Sequence, residues 1–353
     1  MQQHQIYMQR AIDLAQLGAG HVSPNPMVGA VIVHNDRIIG EGWHKKYGEA
    51  HAEINALNSV TDKDLLAEST LYVTLEPCSH YGKTPPCANA IIESGIKKVV
   101  VGMTDPNPLV SGHGIGLLKQ NGIEVIEQVL QEQCMELNKR FIVYMIKKRP
   151  YVILKWAQTS NGFIAPDINE LGEAEFEKQR HITGLIAQKL THKWRTIEDA
   201  LMVGTNTITA DNPKLNARAW EGDAPVRVVL DLNKRLPEHL NVFDDSQRTI
   251  VFVYAENIPA NPYQQTQFMG IDPHAPLTPQ VLEQLYLQNI QSVIVEGGTR
   301  LLQTFIDAQL WDEAQVLVSP KRFNTGVEAP KIGGRLVAST SLNHNIISII
   351  TPQ

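Results

Sequence analysis

The chain has 353 residues, too many for one ordinary domain and comfortable for two at about 100–200 residues each. With 43% hydrophobic and 19% charged residues and a formal charge of −6, it reads as a globular protein and not a general nucleic-acid binder, so an anionic ligand must be held by a local group of basic side chains. No apolar run approaches the about 18–20 residues of a membrane span, the first residues lack a signal-peptide core, and three cysteines make no disulfide framework; a reduced, cytoplasmic setting is expected, with no nucleic-acid or membrane partner.

The pattern opens with a helix through Ile6, Tyr7, Ala11, Leu14 and Ala15. Two short apolar runs follow, "VGAVIVH" and "RIIGEGW", with "NDR" between them as a hairpin turn. A helix from near Ala50 precedes the strand "TLYVTLEP", a helix from about Pro86 precedes "KKVVVGM", and one from about Gly114 precedes "GIEVIEQVL". Such alternation predicts a layered α/β domain with helices over a sheet. "GHGIG" (Gly112–Gly116) follows a loop and not a strand end, so it reads as a turn before a helix and not as a dinucleotide loop. Residues 128–149 have helical spacing until Pro150, which sets the boundary between domains of residues 1–149 and 150–353. The second half has strand signals in "YVILKWAQ", "DALMVG", "PVRVVLD", "TIVFVY", "SVIVEGG" and "AQVLVSP", with helical patterns near 183–196, 278–288 and 299–309, so it too is α/β.

The chemistry concentrates in "HAE" (His51–Glu53) and "PCSHYGKTPPC" (Pro77–Cys87). Zinc takes about four thiolate and imidazole ligands, and a catalytic site keeps one position for water. His51, Cys78 and Cys87 supply three. A structural site would want a fourth, for which Cys134, His80 and His44 are formal candidates; zinc would then fix the loop for a partner interface. Pro85 and Pro86 suit a helix start at Cys87, where the helix N-terminus stabilises a thiolate. Glu53, two residues after His51, fits the carboxylate that takes a proton from water and returns it to a leaving amine, and H-x-E followed by P-C…C is the zinc-deaminase signature.

Nucleic-acid deaminases carry a tight C-x-x-C, whereas eight residues separate the cysteines here. Together with "SPNPMVGAVIV" (Ser23–Val33), "GEGWHKKYGEAHAE" (Gly40–Glu53) and "TDPNPLVSGHGIGLLKQNGIEV" (Thr104–Val125), the first half closely resembles the bifunctional riboflavin-biosynthesis deaminase/reductase family. "KWAQTSNGFIA" (Lys155–Ala165), "VGTNTITADNPKLNAR" (Val203–Arg218), "VRVVLD" (Val226–Asp231) and "VEGGTRLL" (Val295–Leu302) extend the resemblance over nearly the whole chain. It implies a cytidine-deaminase-like three-layer domain followed by a dihydrofolate-reductase-like α/β domain. The implied reactions are zinc-dependent hydrolytic deamination of a diaminopyrimidinone ribosyl 5′-phosphate and NADPH reduction of the product's ribosyl group to ribityl, in a homo-oligomer whose partners are phosphorylated pyrimidines.

By the same resemblance, Asn25, His44, His80 and Lys83 contact the deaminase substrate; read from the residues alone, Asn25 equally suits the turn in "SPNP" and Lys83 a solvated surface. In the second domain the resemblance puts Lys155 and Glu296 at the reacting sugar and Gln179, Arg195, Leu215 and Arg218 on the substrate. Gln158, His181, Thr207, Asp211, Gly298, Thr299, Arg300, Leu301, Leu302, Gln303 and Thr304 border NADPH. The two glycines of "EGGTRLL" between strand and helix suit a phosphate at a helix N-terminus. As charged groups on apolar strands, Lys155 and Glu296 equally suit a mutual pair. Asn161 stands where the family usually has an acidic residue, and His181 where it has a tryptophan. These departures motivate a second reading, in which the C-terminal domain only binds a nucleotide or another subunit.

Overall fold

The computed structural model describes residues 2–79, 85–108 and 110–353, which divide into two compact units, Met1–Lys148 and Arg149–Gln353. In the first unit α1 (Gln2–Gln16) leads into a hairpin of β1 (Gly29–His34) and β2 (Arg37–Trp43). Asn35 and Asp36 both take positive φ, 44° and 60°, as a two-residue turn matched to strand twist requires. Then come α2 (Ala52–Ser59), β3 (Thr70–Leu75), α3 (Cys87–Glu93), β4 (Lys98–Met103), α4 (His113–Gln120), β5 (Glu124–Ile126), α5 (Gln131–Leu137) and α6 (Lys139–Lys147).

The sheet order is β2-β1-β3-β4-β5, antiparallel on both sides of β1 and parallel from β3 onward. Five consecutive residues are buried in each of β1, β3 and β4, which happens only when both faces of a sheet are covered. The helical pattern over 128–149 is not one helix. Asn138, buried at 2% exposure, breaks it: its amide donates to the Met27 carbonyl at 2.9 Å and accepts from the Met27 N–H at 2.9 Å. The backbone leaves helical angles at Asn138, with φ −105° and ψ 20°, although its N–H still reaches the Cys134 carbonyl and its carbonyl accepts from the Ile142 N–H; the side-chain bonds tie this junction to the Met27 segment.

The second unit comprises β6 (Tyr151–Thr159), β7 (Phe163–Pro166), α7 (Ile168–Leu171), α8 (Glu173–Gln179), α9 (Leu185–Ile197), β8 (Ala200–Gly204), α10 (Thr205–Asp211), β9 (Val226–Leu230), β10 (Thr249–Tyr254), β11 (Thr266–Ile271), α11 (Leu277–Leu287), β12 (Ser292–Glu296), α12 (Thr299–Asp307), β13 (Glu313–Ser319), β14 (Gly326–Glu328), β15 (Arg335–Leu342) and β16 (Asn345–Thr351). The main sheet runs β11-β10-β9-β8-β12-β6-β13-β16-β15. Its first seven strands are parallel and its last two antiparallel. Buried runs such as Val152–Leu154 and Val293–Val295 fit parallel strands between helical layers. At Glu296 and Lys155, paired in register on β12 and β6, the apolar runs give way to charge, and the site begins there.

Candidate active sites

Each metal-ligand candidate in the first unit sits at an element boundary. His51 precedes the first residue of α2, Cys78 follows β3, and Cys87 is the first residue of α3. Their ligand atoms lie within 4.8 Å of one another. The His51 Nδ1 is 3.7 Å from the Cys78 Sγ and 3.3 Å from the Cys87 Sγ, and the Cys87 N–H donates to the Cys78 Sγ at 3.3 Å. Hydrogen bonding, from Cys87 foremost, holds the Cys78 thiol down at about 4. One imidazole and two thiols, one already disposed to ionise, fit zinc. Among the described residues no other group joins them. Cys134 is wholly buried in the core, where burial pushes its thiol up to about 12.

Glu53 lies in the first turn of α2 at 3% exposure. Burial, then the negative charge of Cys78, raises its carboxyl to about 7, so it gains and loses a proton near neutrality. His44 is 2% exposed and its ring meets that of His51 edge-on at 5.4 Å. Its Nδ1 faces the Ala50 carbonyl at 3.2 Å and its Nε2 faces the Asn25 Nδ2 at 3.2 Å. Burial lowers the His44 pKa, so the neutral ring donates through Nδ1 and accepts the Asn25 N–H, leaving the Asn25 carbonyl oxygen to other partners. His80 and Lys83 lie outside the described residues.

Sequence reasoning missed Glu76. At 6% exposure it receives four backbone N–H groups: Asp105 at 3.1 Å, Gly112 at 2.9 Å, Gly114 at 2.9 Å and Ile115 at 3.2 Å. It thereby ties the segment after β4 and the start of α4 to the strand end that carries Cys78. A charged residue closing an apolar strand was the available signal.

In the second unit a cavity of about 1280 Å³ opens at the carboxyl ends of β8, β9 and β12 and beside the middle of β6. That is where open α/β sheets bind ligands. Arg195 grips Glu296 with two bonds, Nε–Oε1 at 3.2 Å and Nη2–Oε2 at 2.6 Å, while the Lys155 Nζ stands 3.9 Å from the Glu296 Oε1. Burial opposes the charge on Glu296, but Arg195 and Lys155 overcome it and hold the carboxyl near 2. Burial lowers the Lys155 ammonium, against the pull of Glu296. The pairing anticipated for Lys155 and Glu296 exists, with Arg195 as the tighter partner.

His181, Thr207, Asp211, Leu215 and Arg218 line the cavity, as do Gly298, Thr299, Arg300, Leu301 and Thr304 from the start of α12. Gly297 and Gly298 take positive φ, 82° and 42°, which turns the chain from β12 into α12. Four expected contacts lie elsewhere. Leu302 faces the core at 0% exposure because it lies on the opposite side of α12; Gln303 is engaged with Asp307 and Lys331. The Gln158 Oε1 accepts the Trp156 Nε1–H at 2.7 Å, and the Gln179 amide turns back along α8 to Glu175 at 2.8 Å. Asn161 closes the turn after β6: its Oδ1 accepts from the Thr159 hydroxyl and the Phe323 N–H, and its Nδ2 donates to the Phe323 carbonyl at 2.7 Å. A carboxylate lacks that last donor. His192, which sequence reasoning also missed, lines the cavity at 8% exposure with its Nδ1 unpartnered.

Residues 1–103 match the cytidine and deoxycytidylate deaminase zinc-binding region, and residues 150–332 match the RibD C-terminal domain. The riboflavin biosynthesis protein RibD of Aquifex aeolicus is 38% identical over 94% of this chain and 91% of its own length; that of Bacillus amyloliquefaciens is 41% identical over 89% and 84%. The chain belongs to the bifunctional riboflavin-biosynthesis deaminase/reductase family. A Thermotoga maritima structure in this deaminase/reductase family, of a diaminohydroxyphosphoribosylaminopyrimidine deaminase/5-amino-6-(5-phosphoribosylamino)uracil reductase, is 39% identical with a TM-score of 0.88 over 100% of this chain and 99% of that one. As a bifunctional riboflavin-biosynthesis deaminase/reductase, the chain joins a zinc-dependent hydrolytic deaminase to an NADPH-dependent reductase. No helix of the described residues is long and apolar enough to cross a membrane.

Proposed function

We propose that residues 1–149 deaminate the phosphoribosylated diaminopyrimidinone and residues 150–353 reduce the deaminated product, with the site residues in the following roles. The observation that carries this reading is the convergence of His51, Cys78 and Cys87 beside buried Glu53, in a chain whose second unit has its own charged cavity. The His51 Nδ1 and the two Sγ atoms hold zinc. Zinc, when bound, activates water toward the ring carbon that bears the amine. Glu53 takes the proton of that water and hands it to the departing nitrogen, so that ammonia leaves and a carbonyl remains. The Asn25 Oδ1 accepts from the ring or its amine, held in that orientation by His44. His80 and Lys83 are assigned to the substrate by the family motif alone.

In the second unit NADPH, when bound, supplies hydride to the sugar carbon. Lys155 and Glu296 face that carbon, and Arg195 fixes the Glu296 carboxylate. Arg218, whose side-chain partner is the Asn216 Oδ1 at 3.2 Å, receives the substrate phosphate, and Leu215 packs against the pyrimidine. Gly298, Thr299 and Thr207 hold the cofactor phosphates at the start of α12. A homo-oligomer accords with exposed Leu336 and Val337 on the edge strand β15 and Ile346 on β16 beside it, and a cytoplasmic setting with cysteines that form no disulfide. One coupled assay tests the function: ammonia released from the diaminopyrimidinone, followed by NADPH consumption that depends on it. Ammonia without subsequent NADPH loss would reduce the second unit to a binding module.

A further inference from the structure

Residues 211–218, between α10 and β9, bring Asp211, Leu215 and Arg218 to the cavity. Three successive carbonyls of this segment are each taken by a different side chain. Lys214 accepts from the Arg227 Nε at 3.0 Å, Leu215 from the Gln247 Nε2 at 3.1 Å, and Asn216 from the Arg195 Nη1 at 3.1 Å. Leu215 itself has φ 50° and a side chain at 3% exposure. A branched side chain adopts that left-handed backbone only when its surroundings impose it. Arg195 belongs to the machinery already described, but Arg227 and Gln247 do not touch the cavity. Arg227, at 1% exposure, is locked to Asp244 at 2.7 Å and Ser246 at 3.1 Å, and Gln247 also donates to the Pro225 carbonyl at 3.0 Å.

We infer that Arg227 and Gln247 are positioning residues for the reduction: from behind the segment they set its backbone so that Leu215 and Arg218 meet the pyrimidine substrate. The inference rests on the cavity being the reductase site. Removing a donor leaves an inward carbonyl unpaired and frees a segment with no ladder of its own. A displacement of about 1 Å at a substrate contact costs up to about a hundredfold in rate.

The test uses the full-length, zinc-loaded protein with 5-amino-6-(5-phosphoribosylamino)uracil and NADPH. Gln247→Met keeps length and volume without the donor, and Arg227→Lys keeps the charge for Asp244 without the Nε–H geometry. Both are expected to raise the KM for the pyrimidine about tenfold, equivalent to about 1.4 kcal/mol, with the KM for NADPH changed by less than about twofold and ammonia release unaltered. Gln247→Asn, which retains a shortened amide, is expected to fall between Gln247→Met and the unaltered protein, and it carries the test if the other two do not fold. An unchanged pyrimidine KM in folded Gln247→Met, or an equal rise in both KM values, overturns the inference. Absence of pyrimidine-dependent NADPH oxidation in the unaltered protein would instead overturn the reductase reading beneath it.

Discussion

At the scale of single residues, proton inventory separates the two sites. Glu53 is raised to about 7 by burial, whereas Glu296, equally enclosed, is held near 2 by Arg195 and Lys155. The first is built to exchange a proton and the second to stay ionised. Glu53→Gln should therefore retain bound zinc, measured by metal analysis, while ammonia release falls by about 10²–10⁴-fold and NADPH oxidation on supplied deaminated substrate persists. Full deaminase turnover by that variant would remove the assigned role. For Glu296 the sign follows from a folded pKa below its ordinary value of 4.5. The stability it contributes is complete above about 4.5 and is lost as pH falls toward about 2. Glu296→Gln should flatten the acid limb of the second unit's melting temperature across that window; an acid limb as steep as that of the unaltered protein would contradict this. His51, Cys78, Cys87 and Glu53 were legible in the sequence because zinc chemistry needs rare residue types at short spacing. Arg195 as the grip on Glu296 was not, because 101 residues separate them.

Elements matter here through their ends. α2 and α3 both begin at a ligand, and α4 begins where Glu76 collects its backbone N–H groups. Helix starts leave N–H groups without intrahelical partners, which makes them the natural place for anionic side chains. Glu76→Gln replaces an acceptor oxygen by a donor facing two N–H groups. It should destabilise the first unit by about 1–3 kcal/mol in thermal unfolding while leaving the reductase rate unchanged. Gly114 tests the same junction by shape: a Cβ there would sit 1.9 Å from the Pro77 carbonyl oxygen, next to Cys78. Gly114→Ala should therefore weaken zinc retention in a chelator competition, and unchanged retention would separate α4 from the metal site. Periodicity located most elements correctly but not the break at Asn138, whose side chain bonds to Met27 across 111 positions. Nor did it find the antiparallel pair β15 and β16, where seven of the eight β15 residues are exposed and no alternation marks the strand.

On the scale of the whole molecule, each unit has its own apolar core, one drawn from residues between Met8 and Leu137 and the other from residues between Val152 and Val316. Zinc binds one unit and NADPH the other, so each should stabilise its own unit by mass action. Calorimetry should show zinc chelation lowering one transition and abolishing ammonia release, with NADPH raising the other; a single transition that responds to both would contradict independent cores. The sequence by itself determined the chemistry: H-x-E with two spaced cysteines, strands alternating with helices, a glycine pair before α12, and motifs specific enough to indicate the family. Only the tertiary structure decided which side chains reach a site. Leu302 follows six consecutive cavity residues, Glu296 to Leu301, yet turns to the core because a helix presents one side to a ligand, and Gln303, Gln158 and Gln179 are drawn off by neighbours. Arg227, in "VRVVLD" but not in the cavity, and Gln247, in neither motif nor cavity, donate to the Lys214 and Leu215 carbonyls because buried carbonyls must find donors wherever the fold supplies them. A local pattern encodes spacing along the chain, but direction and partnership are set by packing between segments far apart in it.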